Sequence, residues 1–148
     1  MTLESRSIIT CTTERMSDQF MKLHMTIGKF PITLHHFTGP DVDGPHDHPF
    51  SFFTTIIAGS YVEEVWGINP RDRLWHCRRV HRYAGNTHFV HGEDIHRIVE
   101  LPDGECITSV KWCEGIAPRR QPRFWRFDNG VASSRQWDEQ TFVPYRPE

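Results

Sequence analysis

From Ile32 onward the chain runs in short stretches of β-branched and aromatic residues, broken by clusters of Gly, Pro, Asn and Asp. The stretches are Ile32–Phe37, Phe50–Ala58, Tyr61–Trp66, Leu74–Tyr83, Thr87–Val90, Ile95–Leu101, Cys106–Cys113 and, more weakly patterned, Arg123–Phe127. Each has the length and residue types of a strand. Gly59-Ser60 reads as a hairpin turn, Pro102-Asp103-Gly104 as a stronger one, and Asn69-Pro70-Arg71-Asp72 as a loop. Many short strands at fairly even spacing predict an antiparallel sandwich or barrel.

The N-terminal pattern differs. Ser5 to Thr10 is a short β-like piece, and Thr12-Thr13-Glu14 then resembles a helix start, with a hydroxyl cap and an early acid. Met16, Phe20, Leu23 and Ile27 recur at helical spacing, and Gly28 and Pro31 stop the pattern. The expectation is one short helix on the outside of a sheet. The stretch from Gly115 is richer in Pro and Arg. It is expected to wrap the barrel, anchored by Trp125, Trp137 and Phe142, and not to form a second domain. The chain of 148 residues therefore reads as one domain, residues 1–148, with a core at about 30–115.

Composition changes this picture in one respect. The formal net charge of -2 supplies no global attraction to nucleic acid or anionic lipid. No apolar run approaches a bilayer-spanning length, and the first residues lack a signal peptide's apolar core. Four cysteines without a CxxC pair read as reduced thiols in a cytoplasmic protein. Cys77, Cys106 and Cys113 read as buried strand residues. Histidine is the outlier: there are ten, five of them between His76 and His96.

Two histidines stand in Gly44-Pro45-His46-Asp47-His48-Pro49, just before an apolar strand. Side chains two apart on an extended backbone share a face, with Cβ atoms roughly 7 Å apart. Imidazoles so placed converge on one ion about 2.0–2.1 Å from each nitrogen. Pro45 and Pro49 favour that extension, because each disfavours helix in the residue before it. A two-histidine clamp needs a third ligand from elsewhere, and strand-borne His96 is the best candidate. His88, His91, Asp94 and Asp47 remain open as alternatives.

These residues resemble the two motifs of the cupin superfamily. In the first, a glycine precedes a His-x-His pair, followed by a glutamate and a closing glycine; here His46 and His48 fill the pair, Gly59 closes it, and the leading glycine lies one residue early at Gly39. The second runs from Gly85 to His96, with His91 and Glu93 in its usual proline and glycine positions and Gly92 shifted by one. Together they cover under half of the chain. The resemblance implies an all-β, double-stranded β-helix (a jelly-roll barrel) carrying the predicted N-terminal helix.

The family's glutamate ligand would fall at Phe52 or Phe53, neither of which binds metal. The ligand set implied is thus His46, His48 and His96 alone, similar to the thiol dioxygenases and related cupins that hold non-haem iron with histidines. Neutral ligands leave the ion's charge uncompensated and favour anionic exogenous ligands. The cofactor expected is a divalent metal, Fe(II) first, with Zn, Ni or Mn as other candidates. The activity implied is that of an oxygenase or dioxygenase on a small substrate that coordinates the metal. A sugar isomerase or epimerase, or a non-enzymatic ligand-binding barrel, are the alternatives.

His35 and His36 lie on the strand entering the first motif, so one of them faces the interior and is a candidate general acid or base. Tyr61 joins them as a candidate catalytic residue. Trp66 and Tyr83 are suited to walling a cavity, and Arg97 should turn away from His96. Arg119, Arg120, Arg123 and Arg126 interleave with Phe124, Trp125 and Phe127, but nucleic-acid binding is the weaker reading beside a packed tail with solvated arginines. The partners expected are a small-molecule substrate and a second copy in a homodimer.

Overall fold

A computed structural model describes residues 9–113 and 121–146. Their regular structure consists of antiparallel strands: β1 (Ile9–Ser17), β2 (Phe20–Ile27), β3 (Phe30–Phe37), β4 (Phe52–Ile68), β5 (Trp75–Tyr83), β6 (Thr87–Val90), β7 (Ile95–Glu100), β8 (Cys106–Trp112), β9 (Arg123–Asp128), β10 (Val131–Gln136) and β11 (Val143–Pro144). The all-β jelly roll expected from the motifs is the architecture found. Among the described residues no helix is long and apolar enough to cross a membrane.

The N-terminal helix is absent. In its place β1 and β2 form a hairpin, and β2 pairs with β3 in continuous register from Phe20↔Phe37 to Ile27↔Phe30. Thr10, Thr12 and Thr13 are β-branched and suit a pleated strand. Phe20 and Leu23, adjacent on a helical stripe, lie on opposite faces of β2. Phe20 stacks on Phe37 at 4.6 Å, so tertiary pairing outweighs the local helical pattern. Gly28, expected to stop a helix, opens the two-residue turn into β3 at φ +61°. Most of the β-like piece Ser5–Thr10 lies outside the described residues, with Ile9 and Thr10 beginning β1.

The second correction concerns Gly59-Ser60. No hairpin forms there, and the two predicted strands are one bent strand, β4. Its first half pairs with β8 and β6, its second half with β5 and β7. It thereby joins the two sheets of the barrel. The bend falls where the register slips between Ile56 and Ala58, next to Gly59 at φ +75°. A Cβ at Gly59 would collide with the backbone carbonyl of Glu105, so only glycine permits this approach of β4 to β8.

The tail forms its own three-stranded sheet, β11-β10-β9. Trp125 is buried with Ile95 and Ala132, and Trp66, Trp75 and Phe127 pack around them. Phe142 lies beneath the Arg126 guanidinium at 4.0 Å. Trp137, expected as an anchor, is 56% exposed. Arg119 and Arg120 lie outside the described residues. Cys77, read as buried, is exposed on β5, whereas Cys106 is fully buried.

Candidate metal centre

The segment from Pro45 to His48 acts as a short extra strand between β7 and β9. His46 exchanges both backbone hydrogen bonds with His96 (2.9 and 3.0 Å). On its other side, the Trp125 amide donates to the Pro45 carbonyl at 2.8 Å, and the Asp47 amide to the Arg123 carbonyl at 3.0 Å. Asp47, fully buried, accepts at Oδ1 from the Arg123 amide (2.7 Å) and at Oδ2 from the Trp125 indole (3.1 Å). Its carboxylate ties the histidine segment to the tail sheet. His46 and His48, flanking it, turn to the opposite face.

That face meets β7. Ligand atoms of His46, His48 and His96 lie within 4.8 Å of one another, and the Nε2 atoms of His48 and His96 are 3.4 Å apart. The outer nitrogens of two rings are held from behind. His46 Nδ1 donates to the Gly44 carbonyl at 3.1 Å, and His96 Nδ1 to Glu63 Oε2 at 2.7 Å. Both Nε2 lone pairs are thereby left for the cluster. His48 Nδ1 is buried without a hydrogen-bond partner among the described residues.

Three facing imidazoles, two of them with Nε2 lone pairs left free and one of these two backed by a buried carboxylate, are the donor set of a nitrogen-ligated divalent ion. The residues present fit such an ion. Burial, then the neighbouring His96, lowers the pKa of both His46 and His48, so both remain neutral and able to ligate at neutral pH.

Glu63, which holds His96 from behind, is the candidate site residue that sequence reasoning missed. It is 2% exposed and also accepts from Arg82 Nε at 2.9 Å. Burial alone would raise its carboxyl pKa, but the hydrogen bonds and charges of His96 and Arg82 hold it at about 2. The available signal was an acidic pair, Glu63-Glu64, inside an apolar strand. Glu64, itself buried, pairs instead with Arg79 and Arg97.

The other expected residues separate cleanly. His35 is buried and lines the cavity in front of the cluster, with Nε2 lacking a hydrogen-bond partner among the described residues. Burial, with Lys22 and His24 nearby, lowers its pKa to about 3. His36 points outward and bonds Glu105 at 2.9 Å, which removes it as a pocket base. Tyr61 is buried, lines the cavity and shares a hydrogen bond with His88 Nε2 at 3.3 Å. His91 and Asp94 are joined in a turn, where Asp94 Oδ2 accepts from the His91 amide. Phe52 faces inward, its ring 4.9 Å from His48, while Phe53 is 42% exposed. Arg97 turns away to Glu64, as its position after His96 implied.

The cavity holds about 360 Å³ and is walled by Phe20, Phe37, Phe52, Val90, Ile98 and Trp112. This is the volume of a small-molecule site.

No protein-family model matches the chain, and no curated protein matches it. Among solved structures it is similar to hydroxypropylphosphonic acid epoxidase from S. wedmorenis, at 12% identity and TM-score 0.49, over 68% of this chain and 53% of that one. It is also similar to a chain described with the DMSP lyases RdDddP and RnDddQII, at 17% identity and TM-score 0.47, over 71% and 52%. A third is the oxalate decarboxylase of Bacillus subtilis, at 16% identity and TM-score 0.47, over 68% and 28%. The chain spans about half the length of the first two. At these identities and scores the likenesses bear on no residue of the site.

Proposed function

We propose that the chain is a mononuclear metal enzyme in which His46, His48 and His96 hold a divalent ion, Fe(II) by preference, and which oxidises a small substrate that itself contacts the metal. The observation carrying this reading is the convergence of three imidazole ligand atoms within 4.8 Å, at the wall of a small apolar cavity. When bound, such an ion supplies Lewis acidity and, if it is iron, redox chemistry with dioxygen.

The chain's own residues do the rest. Glu63 and the Gly44 carbonyl fix the tautomers of His96 and His46, while Phe52 fills the wall beside His48 with a side chain that cannot ligate. The apolar walls limit water. Burial, then the Glu63 charge, raises the Tyr61 pKa, so its hydroxyl stays protonated at neutral pH and able to donate to a bound group.

An isomerase would need a base paired with an acid beside the cluster. His36 has its acid but lies outside the cavity, and His35 lies inside without one. The oxidative reading is therefore preferred. The test is metal analysis of protein purified without added metal, together with oxygen uptake across panels of small thiols and acids. Stoichiometric iron with uptake on one class is expected; stoichiometric zinc with no uptake would overturn it.

A further inference from the structure

Beyond the histidine cluster, the cavity wall carries two polar groups, Lys22 and His35, without a polar partner among the described residues. Lys22 on β2 lies directly opposite His35 on β3 in the strand register, and both line the cavity. Among the described residues the Lys22 ammonium has no ion-pair or hydrogen-bond partner, and it lies 5.9 Å from the centre of the Phe20 ring. Glu14, its cross-strand neighbour on β1, bonds His24 instead. His35 Nε2 is buried without a hydrogen-bond partner among the described residues, a costly state for a polar atom unless a ligand completes it.

Among the described residues the remaining charged groups on the wall do not pair with Lys22. Asp41 Oδ2 accepts from the Ile98 amide at 2.7 Å, Asp47 is engaged by Arg123 and Trp125, and Asp43 is exposed. The Arg123 guanidinium turns to Ser134 Oγ. An unpaired ammonium beside a buried imidazole is a receptor for an anion: the ammonium supplies charge, and the imidazole in its Nε2–H tautomer supplies a directed donor.

We infer that Lys22 and His35 form an anion subsite, and that the cavity takes a small acid with its carboxylate on this pair and a second donor at the histidine cluster. This rests on the metal-centre reading for its second contact but not for its first. The cavity's size limits the ligand to a short acid. Lys22 is here a specificity-determining residue, not a catalytic one.

The test uses succinate and its neutral analogue succinamide, titrated calorimetrically into zinc-loaded protein. Lys22→Met is expected to weaken succinate binding by about 10-fold or more, as loss of a charge-assisted contact implies. It should leave succinamide affinity and zinc content unchanged, and Lys22→Arg should bind succinate within about 3-fold of the unaltered chain. Equal succinate affinity in Lys22→Met and the unaltered chain, or no succinate binding by the latter, overturns the inference. Metal-free protein separates the two claims. Succinate binding that needs Lys22 in a chain that takes up no metal keeps the subsite and sinks the metal centre; full zinc loading without Lys22 dependence does the reverse.

Discussion

Replacing Glu63 with glutamine keeps the buried shape and removes the charge, which makes it a sharp probe of the metal centre. The carboxylate accepts from His96 Nδ1 at 2.7 Å and from Arg82 Nε at 2.9 Å, and it is 2% exposed. Glutamine cannot satisfy both donors. With its oxygen toward His96, its amide N–H faces the Arg82 N–H. With its amide toward His96, Nδ1 must become the acceptor and the proton moves to Nε2, blocking the lone pair a metal needs. Loss of such a partner typically weakens a histidine-bound metal about 10–100-fold, or about 1.4–2.8 kcal/mol. Glu63→Ala goes further, leaving the Arg82 charge and the His96 N–H without their acceptor. Breaking a buried pair costs about 3–5 kcal/mol, and the partial exposure of Arg82, 24%, puts the lower end in force. The assays are chelator competition for zinc affinity and urea unfolding of the metal-free protein. Zinc affinity in Glu63→Gln within about 2-fold of the unaltered chain would refute the tautomer argument. Full stability in Glu63→Ala would refute the account of the buried pair.

Other expectations follow from single positions. Gly59→Ala places a Cβ against the Glu105 carbonyl at φ +75° and should cost at least about 2 kcal/mol in urea unfolding. Asp47→Ala removes the acceptor of the Arg123 amide and the Trp125 indole; a loss of about 2–4 kcal/mol and earlier proteolytic cleavage around β9 are expected. For His35 the folded pKa, about 3, lies below the ordinary 6.5, so the unfolded chain binds the extra proton and stability falls as pH drops from 6.5 toward 3. Between pH 6 and 4.5 this amounts to about 2 kcal/mol, and metal-free His35→Phe should lose about that much less than the unaltered chain over the same interval. Identical pH dependence in the two would contradict the burial of a neutral imidazole there.

The legible and illegible parts of this chain divide along the range of the interactions involved. His46, His48 and His96 could be picked out because their spacing and flanking prolines and glycines are local properties, and the β-patterned runs place them on extended backbone. The exclusion of a carboxylate at Phe52 was equally local. Other features depend on partners distant in sequence. Glu63 is one of two adjacent acids in an apolar strand, and its partner is visible only once β7 brings His96 against it. Asp47 reads as an alternative metal ligand between two histidines until the tail folds back to present Arg123 and Trp125, which take both of its carboxylate oxygens. The N-terminal error has the same origin. Met16, Phe20, Leu23 and Ile27 fit a helical stripe, and pairing with β3, which Phe37 and His35 enforce, turns the segment into strands. Lys22 and its place in the cavity wall were lost with it. Gly59 misled differently: a turn residue by local rule, it is needed for a bend and a close approach to β8.

The central claim is that three histidines, and no carboxylate, hold one metal ion. The most direct measurement is the metal content of protein purified without added metal, by elemental analysis, alongside His46→Ala, His48→Ala and His96→Ala and the melting temperature of each after chelation. The account predicts about one ion per chain, loss of most of it in each variant, and little change in the metal-free melting temperature. Near-stoichiometric metal in all three variants, or none in the unaltered chain after reconstitution with iron or zinc, would contradict it.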